Sequence, residues 1–184
     1  MKKQCTLRYL LILSITAVGI LLDQLTKFLV SHFMELGDTI PLIRDVLHIT
    51  YIQNRGAAFG MLANNRWVFL IVSSVTIVGI TLFLFLSKQT GTLLTVSLSM
   101  ILSGGIGNMI DRLALGYVVD MIDFRLINFA VFNGADSFVC VGAGLLFLAV
   151  LLEKDEPKAP AAEGGEADAA DEGDADTDRE EENA

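Results

Sequence analysis

Cysteine and histidine are scarce in this chain, two of each in 184 residues. Cys5 and Cys140 show neither paired spacing nor metal-ligand spacing, which excludes a disulfide framework and a thiolate metal centre. Cys5 precedes the first apolar run, whereas a lipid-modified cysteine would follow one, and Cys140 reads as a small packing residue in the last apolar block. His32 and His48 stand alone, so no soft-metal site is expected. Serine is present, yet no Ser/His/Asp or Cys/His arrangement suited to a covalent nucleophile is visible. Internal repeats are absent as well. These gaps leave carboxylates and side-chain amides as the groups able to carry chemistry.

Apolar residues are plentiful. They make up 53% of the chain, with a mean hydropathy of +0.56, and they come in long blocks. Such a composition points to a membrane body rather than a soluble domain. The net charge of −9 misleads. Residues 153–184 hold 14 acids and three bases (Lys154, Lys158 and Arg179), leaving ten bases and eight acids in the rest. The acidity therefore belongs to the tail.

Four blocks are long enough to cross about 30 Å of hydrocarbon at 1.5 Å per helical residue. They are Leu7–Phe33, Trp67–Leu86, Leu93–Ile110 and about Asp136–Leu152. The first resembles a secretory signal behind Lys2, Lys3 and Arg8, but it runs on through Asp23, Gln24 and Lys27 without a cleavage site. Four spans place both termini on one side. Lys2, Lys3, Arg8, Lys88, Lys154 and Lys158 share that side, which the positive-inside rule makes cytoplasmic. Arg44, Arg55, Arg66, Arg112 and Arg125 lie on the other.

Two outer segments remain, about 34–66 and 111–135. Leu47–Ile52 alternates apolar and polar residues, and Tyr117–Phe124 is rich in β-branched and aromatic residues; both read as strands. The expected architecture is an all-α membrane bundle of four transmembrane helices under a small extracytoplasmic β-sheet. That domain fills residues 1–152. Residues 153–184 contain no aromatic and only Thr177 as a β-branched residue. They read as a disordered, acidic cytoplasmic tail, because they cannot bury enough apolar surface to offset ordering entropy.

Four acids sit where idle charge is costly: Asp23, Asp111, Asp120 and Asp136. A carboxylate at a helix centre in lipid costs roughly 2.5–3.5 kcal/mol on insertion scales, which makes each a functional candidate. Asp120 and Asp136 flank the single connection between spans three and four, so both return to the same membrane face. Two carboxylates a few ångström apart cannot both ionise cheaply; one keeps a proton, giving an acid and a base in one site. Spacing alone also allows Asp136 to be a helix N-cap and Asp120 to pair with Arg112 or Arg125. Asp123, three residues after Asp120, would face the other side of a strand.

Other motifs surround these acids. Gly104-Gly105-Ile106-Gly107 permits close backbone approach. Asn108 and Arg112 share a helical face and could meet carbonyls or a lipid ester or phosphate; alternatively Arg112 snorkels to water with Asp111 as its neutraliser. This stretch is no dinucleotide fingerprint, since no strand precedes it. Asn54 closes the strand at Leu47–Ile52. Asp23 and Lys27 are an i,i+4 pair able to neutralise each other. A proton-coupled carrier using Asp23, Asp120 and Asp136 would want acids at midplane and two similar halves. A lipid-binding scaffold would need the glycines and asparagines but not two converging acids.

Asp23-Gln24-Leu25-Thr26-Lys27, Asn54-Arg55-Gly56-Ala57-Ala58-Phe59-Gly60, Gly107-Asn108-Met109-Ile110-Asp111-Arg112, Val118-Val119-Asp120-Met121-Ile122-Asp123-Phe124 and Phe132-Asn133-Gly134-Ala135-Asp136-Ser137 together resemble the lipoprotein signal peptidase family (signal peptidase II). The resemblance covers about residues 8–152. It implies an intramembrane aspartic endopeptidase with four transmembrane helices and a β-cradle, cutting prolipoproteins just before a diacylglyceryl-modified cysteine. By position, Asp120 and Asp136 take the catalytic places. Asn54, Asn108, Arg112 and Asn133 match polar residues lining the family's site, and Asp23 and Lys27 match its supporting first-helix motif. No cofactor, metal or nucleic acid is implied. The expected setting is the bacterial inner membrane, with the site near its outer face, lipids and prolipoproteins as partners, and a monomer sufficient for the chemistry.

Overall fold

The computed structural model describes residues 2–56, 66–87 and 91–153. Lys88, the Ala57–Gly60 half of the asparagine motif and the acidic tail from residue 154 onward lie outside the described residues. Four long helices carry the fold: α1 (Lys2–Phe33), α2 (Arg66–Leu86), α3 (Thr92–Ala114) and α4 (Gly134–Glu153). Each is long and apolar enough to cross a membrane. The apolar faces of α1, α2 and α4 stay open, with Leu21, Ile71, Val75 and Phe147 all more than 60% exposed. That is the surface a bundle presents to lipid instead of water.

α3 is the central helix. Half of its apolar span is buried, against 11–17% for the other three. Its small residues explain this. A methyl group on Gly142 of α4 would lie 2.8 Å from the Ser97 carbonyl of α3, and one on Gly104 would collide with the Ala135 carbonyl. Only glycine lets these backbones approach so closely. An apolar cluster of Ile12, Leu84, Leu98 and Leu102 locks α1, α2 and α3 together. There Arg8 donates to the Ser87 carbonyl at 2.6 Å and the Leu84 carbonyl at 2.5 Å, satisfying orphan carbonyls at the end of α2.

The opposite end of α1 carries a three-stranded antiparallel sheet, ordered β1 (Thr39–Ile43), β2 (Leu47–Asn54) and β3 (Val118–Phe124). The two expected strands are present. β1 is additional; Pro41 interrupts its apolar pattern and is tolerated because β1 is an edge. Tyr51, Val119 and Met121 pack against Val30 and Met34, tying the sheet to α1. A bulge between Ile49 and Ile52 shifts the register so that Ile52 faces Asp120. After β3 a short 3-10 turn (Arg125–Ile127) leads to Phe132, which bridges back to Ile122 before α4 begins. The third helix also runs four residues beyond the expected Ile110, which puts Asp111 and Arg112 on helix rather than loop.

Candidate active site

Where α1, α3 and α4 meet the sheet, buried polar side chains converge. On α1, Lys27 reaches back one turn to Asp23 at 2.8 Å. The same ammonium is 3.1 Å from Asp111 on α3 and donates to Asn108 Oδ1 at 2.9 Å. Lys27, Asp23 and Asp111 are each at most 3% exposed. Removing one partner from a buried set of this kind costs about 3–5 kcal/mol. Gly107 makes the arrangement possible, because a methyl group there would lie 2.5 Å from Asp23 Oδ2.

α4 starts with a reciprocal cap. Asn133 Oδ1 accepts the Asp136 N–H at 3.0 Å, and Asp136 Oδ2 accepts the Asn133 N–H at 3.3 Å. This is the capping-box geometry, with Asp136 in the third helical position. The cap uses one oxygen. The other, Oδ1, accepts from Asn108 Nδ2 at 2.7 Å. The N-cap is Asn133 and not Asp136, which is its third-position partner and also a member of the polar cluster.

Asp120 enters from β3 and is 2% exposed. Its Oδ1 accepts from Asn133 Nδ2 at 2.7 Å and its Oδ2 from Asn54 Nδ2 at 2.9 Å. Burial pushes its carboxyl up to about 6; the nearby Asp136 charge pushes the same way, while the Asn54 and Asn133 hydrogen bonds oppose it. Asn133, with no exposed surface, touches both acids. Its Nδ2 also reaches Asn108 Oδ1 at 3.1 Å, so two amides bridge the two carboxylates.

All eight candidate residues lie in this region: Asp120, Asp136, Asn54, Asn108, Arg112, Asn133, Asp23 and Lys27. Asn108 faces the acids and Lys27 instead of an open ligand surface. Arg112 lies on the flank, with its guanidinium 4.9 Å from the Phe69 ring centre; Asp136, Asp120 and Asp111 are the carboxylates acting on its charge. Among the described residues Asp111 makes its direct ion pair with Lys27 and not with Arg112, on which it acts only at longer range. It pairs with Lys27 and accepts hydrogen bonds from Gln24 at 2.9 Å and from the Val119 N–H at 3.1 Å. Asp111 and Gln24 are the members that pattern reading undervalued; the signal was the three-residue step from Asn108, which keeps Asp111 on the same helical face.

Asp123 stands apart. It accepts from Thr50 at 2.8 Å and pairs with Arg125 at 3.0 Å. Among the described residues, no three His, Cys, Asp or Glu side chains gather as a metal site would require.

A family model described as "Signal peptidase (SPase) II" matches residues 15–152. The chain belongs to the signal peptidase II family. Similar proteins include a lipoprotein signal peptidase of Brevibacillus brevis, 47% identical over 76% of this chain and 93% of that protein. Another, from Halalkalibacterium halodurans, is 44% identical over 79% of this chain and 93% of its own. A bacterial membrane enzyme solved in meso at 2.3 Å superposes with a TM-score of 0.75 at 30% identity, covering 83% of this chain and 94% of that one. A second, solved in meso at 1.9 Å, gives 0.71 at 33% identity, with 79% and 94% covered. As a signal peptidase II, the chain is a membrane peptidase. Its family motifs are the segments that deliver Asp23, Lys27, Asn54, Asn108, Asp120, Asn133 and Asp136 to one place.

Proposed function

We propose that this peptidase is an aspartic endopeptidase acting within the membrane, with Asp120 and Asp136 as its catalytic pair. The observation that carries the reading is Asn133, whose side-chain amide holds Asp120 and whose backbone N–H holds Asp136. Burial and the nearby Asp136 charge both disfavour ionised Asp120, so one of the two acids keeps a proton at working pH and the pair titrates as a unit. The ionised carboxylate takes a proton from water as the water oxygen attacks the scissile carbonyl carbon. The protonated carboxyl donates to the carbonyl oxygen, and a tetrahedral diol forms. Collapse of the diol breaks the C–N bond, with a proton passing to the leaving amine. This route needs no cofactor and no acyl-enzyme.

The substrate we infer is a prolipoprotein whose lipobox cysteine carries a diacylglyceryl group, cut just before that cysteine. The lipid would remain among the helices while the extended backbone meets the strands beside Asn54 and Asp120. The expected setting is the bacterial inner membrane, with both termini cytoplasmic, the Asp pair near the outer face and a monomer as the working unit. The names of the relatives and the four spans support the membrane setting. Purified protein should shorten a diacylglyceryl-modified precursor and leave the unmodified precursor intact. Asp120→Asn and Asp136→Asn should each abolish cleavage while retaining fold. Normal processing by either variant would defeat the assignment.

A further inference from the structure

An ion pair between Asp23 and Lys27 would need only those two residues. The structure gives Lys27 more to do. An ammonium carries three N–H donors and no acceptor, and that of Lys27 meets three oxygens: ion pairs with Asp23 Oδ2 at 2.8 Å and Asp111 Oδ2 at 3.1 Å and a hydrogen bond to Asn108 Oδ1 at 2.9 Å. Each of the two carboxylates in turn holds a backbone amide. Asp23 Oδ1 accepts the N–H of Ala135 at 2.8 Å, one residue before Asp136. Asp111 Oδ2 accepts the N–H of Val119 at 3.1 Å, one residue before Asp120. A single cation therefore clasps the two side chains that anchor the chain immediately ahead of each site acid.

The third contact fixes polarity. An amide can be flipped by half a turn at little steric cost, exchanging its oxygen and nitrogen. Beside Lys27 the flipped form would set NH2 against the ammonium and the oxygen against Asp136, two repulsions at once. With Lys27 charged, Asn108 must present Oδ1 to Lys27 and to Asn133, and Nδ2 to Asp136 at 2.7 Å. The donor facing Asp136 is thus set by a cation on another helix.

We propose that Lys27 is a positioning residue for the reaction: through Asp23 and Asp111 it sets the placement of Asp136 and Asp120, and through Asn108 it aims a hydrogen-bond donor at Asp136. This inference rests on the aspartic reading of the site. The charged groups facing this assembly are Asp23 from α1, Asp111 and Arg112 from α3, Asp120 from β3 and Asp136 from α4. Lys27 supplies positive charge that favours the ionised form of Asp120. Its loss must therefore make the first ionisation of the pair harder.

The test is steady-state cleavage of a diacylglyceryl-modified precursor across pH by full-length protein, with thermal unfolding followed in the same detergent. For Lys27→Met, kcat should fall about 100-fold, the scale expected for a small misplacement of reacting groups, with KM within about twofold of the parent. The acid limb of the pH profile should move upward by about one unit, as expected for loss of a cation near a carboxylate. Asn108→Ala keeps the ammonium and both ion pairs; it should also raise the acid limb at unchanged KM, and it decides the question if Lys27→Met fails to fold. Non-multiplicative losses in the double variant are expected, since the two residues act in one chain of contacts. An unmoved acid limb, a loss confined to KM or fully multiplicative losses would overturn the assignment. Asp120→Asn and Asp136→Asn run alongside as the separate control: if they cleave normally the aspartic reading fails, whereas if only the Lys27 predictions fail, that reading survives.

Discussion

Asp120 and Asp123 lie three residues apart on one short strand, and the molecule treats them in opposite ways. Asp120 points into the meeting place of three helices, where its direct partners are the neutral amides of Asn54 and Asn133. Burial dominates, and its carboxyl rises to about 6. Asp123 points to the other network, where Thr39, His48, Thr50 and Arg125 gather across the three strands. Burial also pushes Asp123 up, but the hydrogen bonds from Thr50 and Arg125 and the Arg125 charge outweigh it, and the net direction is down. Donors without a direct cation leave burial to set the direction for Asp120, whereas a direct cation together with donors favours the ionised form of Asp123.

The largest difference between the two should be catalytic. Asp120→Asn should reduce cleavage of a lipid-modified precursor by roughly 10⁴-fold, the scale seen when a central catalytic group is removed. Asp123→Asn should stay within about threefold of the parent, because its contacts tie strands together and reach no reacting atom. Comparable losses in both variants would erase the distinction drawn from their partners.

Sequence patterns carried this contrast only part of the way. The four helices were legible because lipid demands long apolar runs, and their bounds fall within a few residues of the expected ones. Asp120 and Asp136 could be paired because one connection returns both to the same face. β1 escaped notice because Pro41 and residues exposed on both faces leave no alternating signal. The bridging role of Asn133 was hidden by distance along the chain: its amide meets Asn108, 25 residues earlier, and Asp120, 13 residues earlier. The double use of Asp136 was hidden for another reason. An acid that only caps a helix and one that also joins a polar cluster look identical in sequence, and only the second oxygen's partner separates them.

The next effect is on stability against pH. The ordinary value for Asp120 is 3.8 and the folded value about 6. The folded state thus holds this proton more tightly, and the group's contribution is fully present below about pH 4 and lost as pH rises through about 6. At about 1.36 kcal/mol per pH unit, the loss can reach about 3 kcal/mol. Asp123 runs the other way, stabilising above its ordinary value and losing that contribution as pH falls. Melting temperatures between pH 4 and 8 should therefore flatten on the rising-pH side in Asp120→Asn, and drop at neutral pH in Asp123→Asn. An unchanged profile in Asp120→Asn would show that its proton is not taken up on folding.

Packing should separate the two regions next. A methyl at Gly107 would meet the Asp23 carboxylate at 2.5 Å, while one at Gly79 on α2 meets nothing within 4 Å. Gly107→Ala should cost about 1–3 kcal/mol by overpacking. Gly79→Ala should be neutral or slightly stabilising, since alanine gains helix propensity of up to about 1 kcal/mol over glycine. Equal unfolding temperatures for the two would mean that α1 can shift away from α3 without penalty.

The smallest effect belongs to Arg125→Ala. Arg125 links Asp123 at 3.0 Å and the Thr39 hydroxyl at 3.0 Å, spanning from β3 to the edge strand β1. Its side chain is 43% exposed, against 4% for Lys27. Water competes for an exposed guanidinium and screens its charge, so the contact is worth about 0–1 kcal/mol. Losing it leaves Thr39 bonded to Thr50 at 2.8 Å and Asp123 still holding Thr50, so no buried group is stranded. Arg125→Ala should therefore lower the melting temperature only slightly, by an amount that shrinks further in high salt, and leave cleavage unchanged. Lys27 has no such reserve: its removal would leave Asp23 and Asp111 facing each other, both buried, with no cation between them. A large, salt-insensitive loss on removing Arg125 would mean that the sheet's polar network is coupled to the acids as tightly as the buried one.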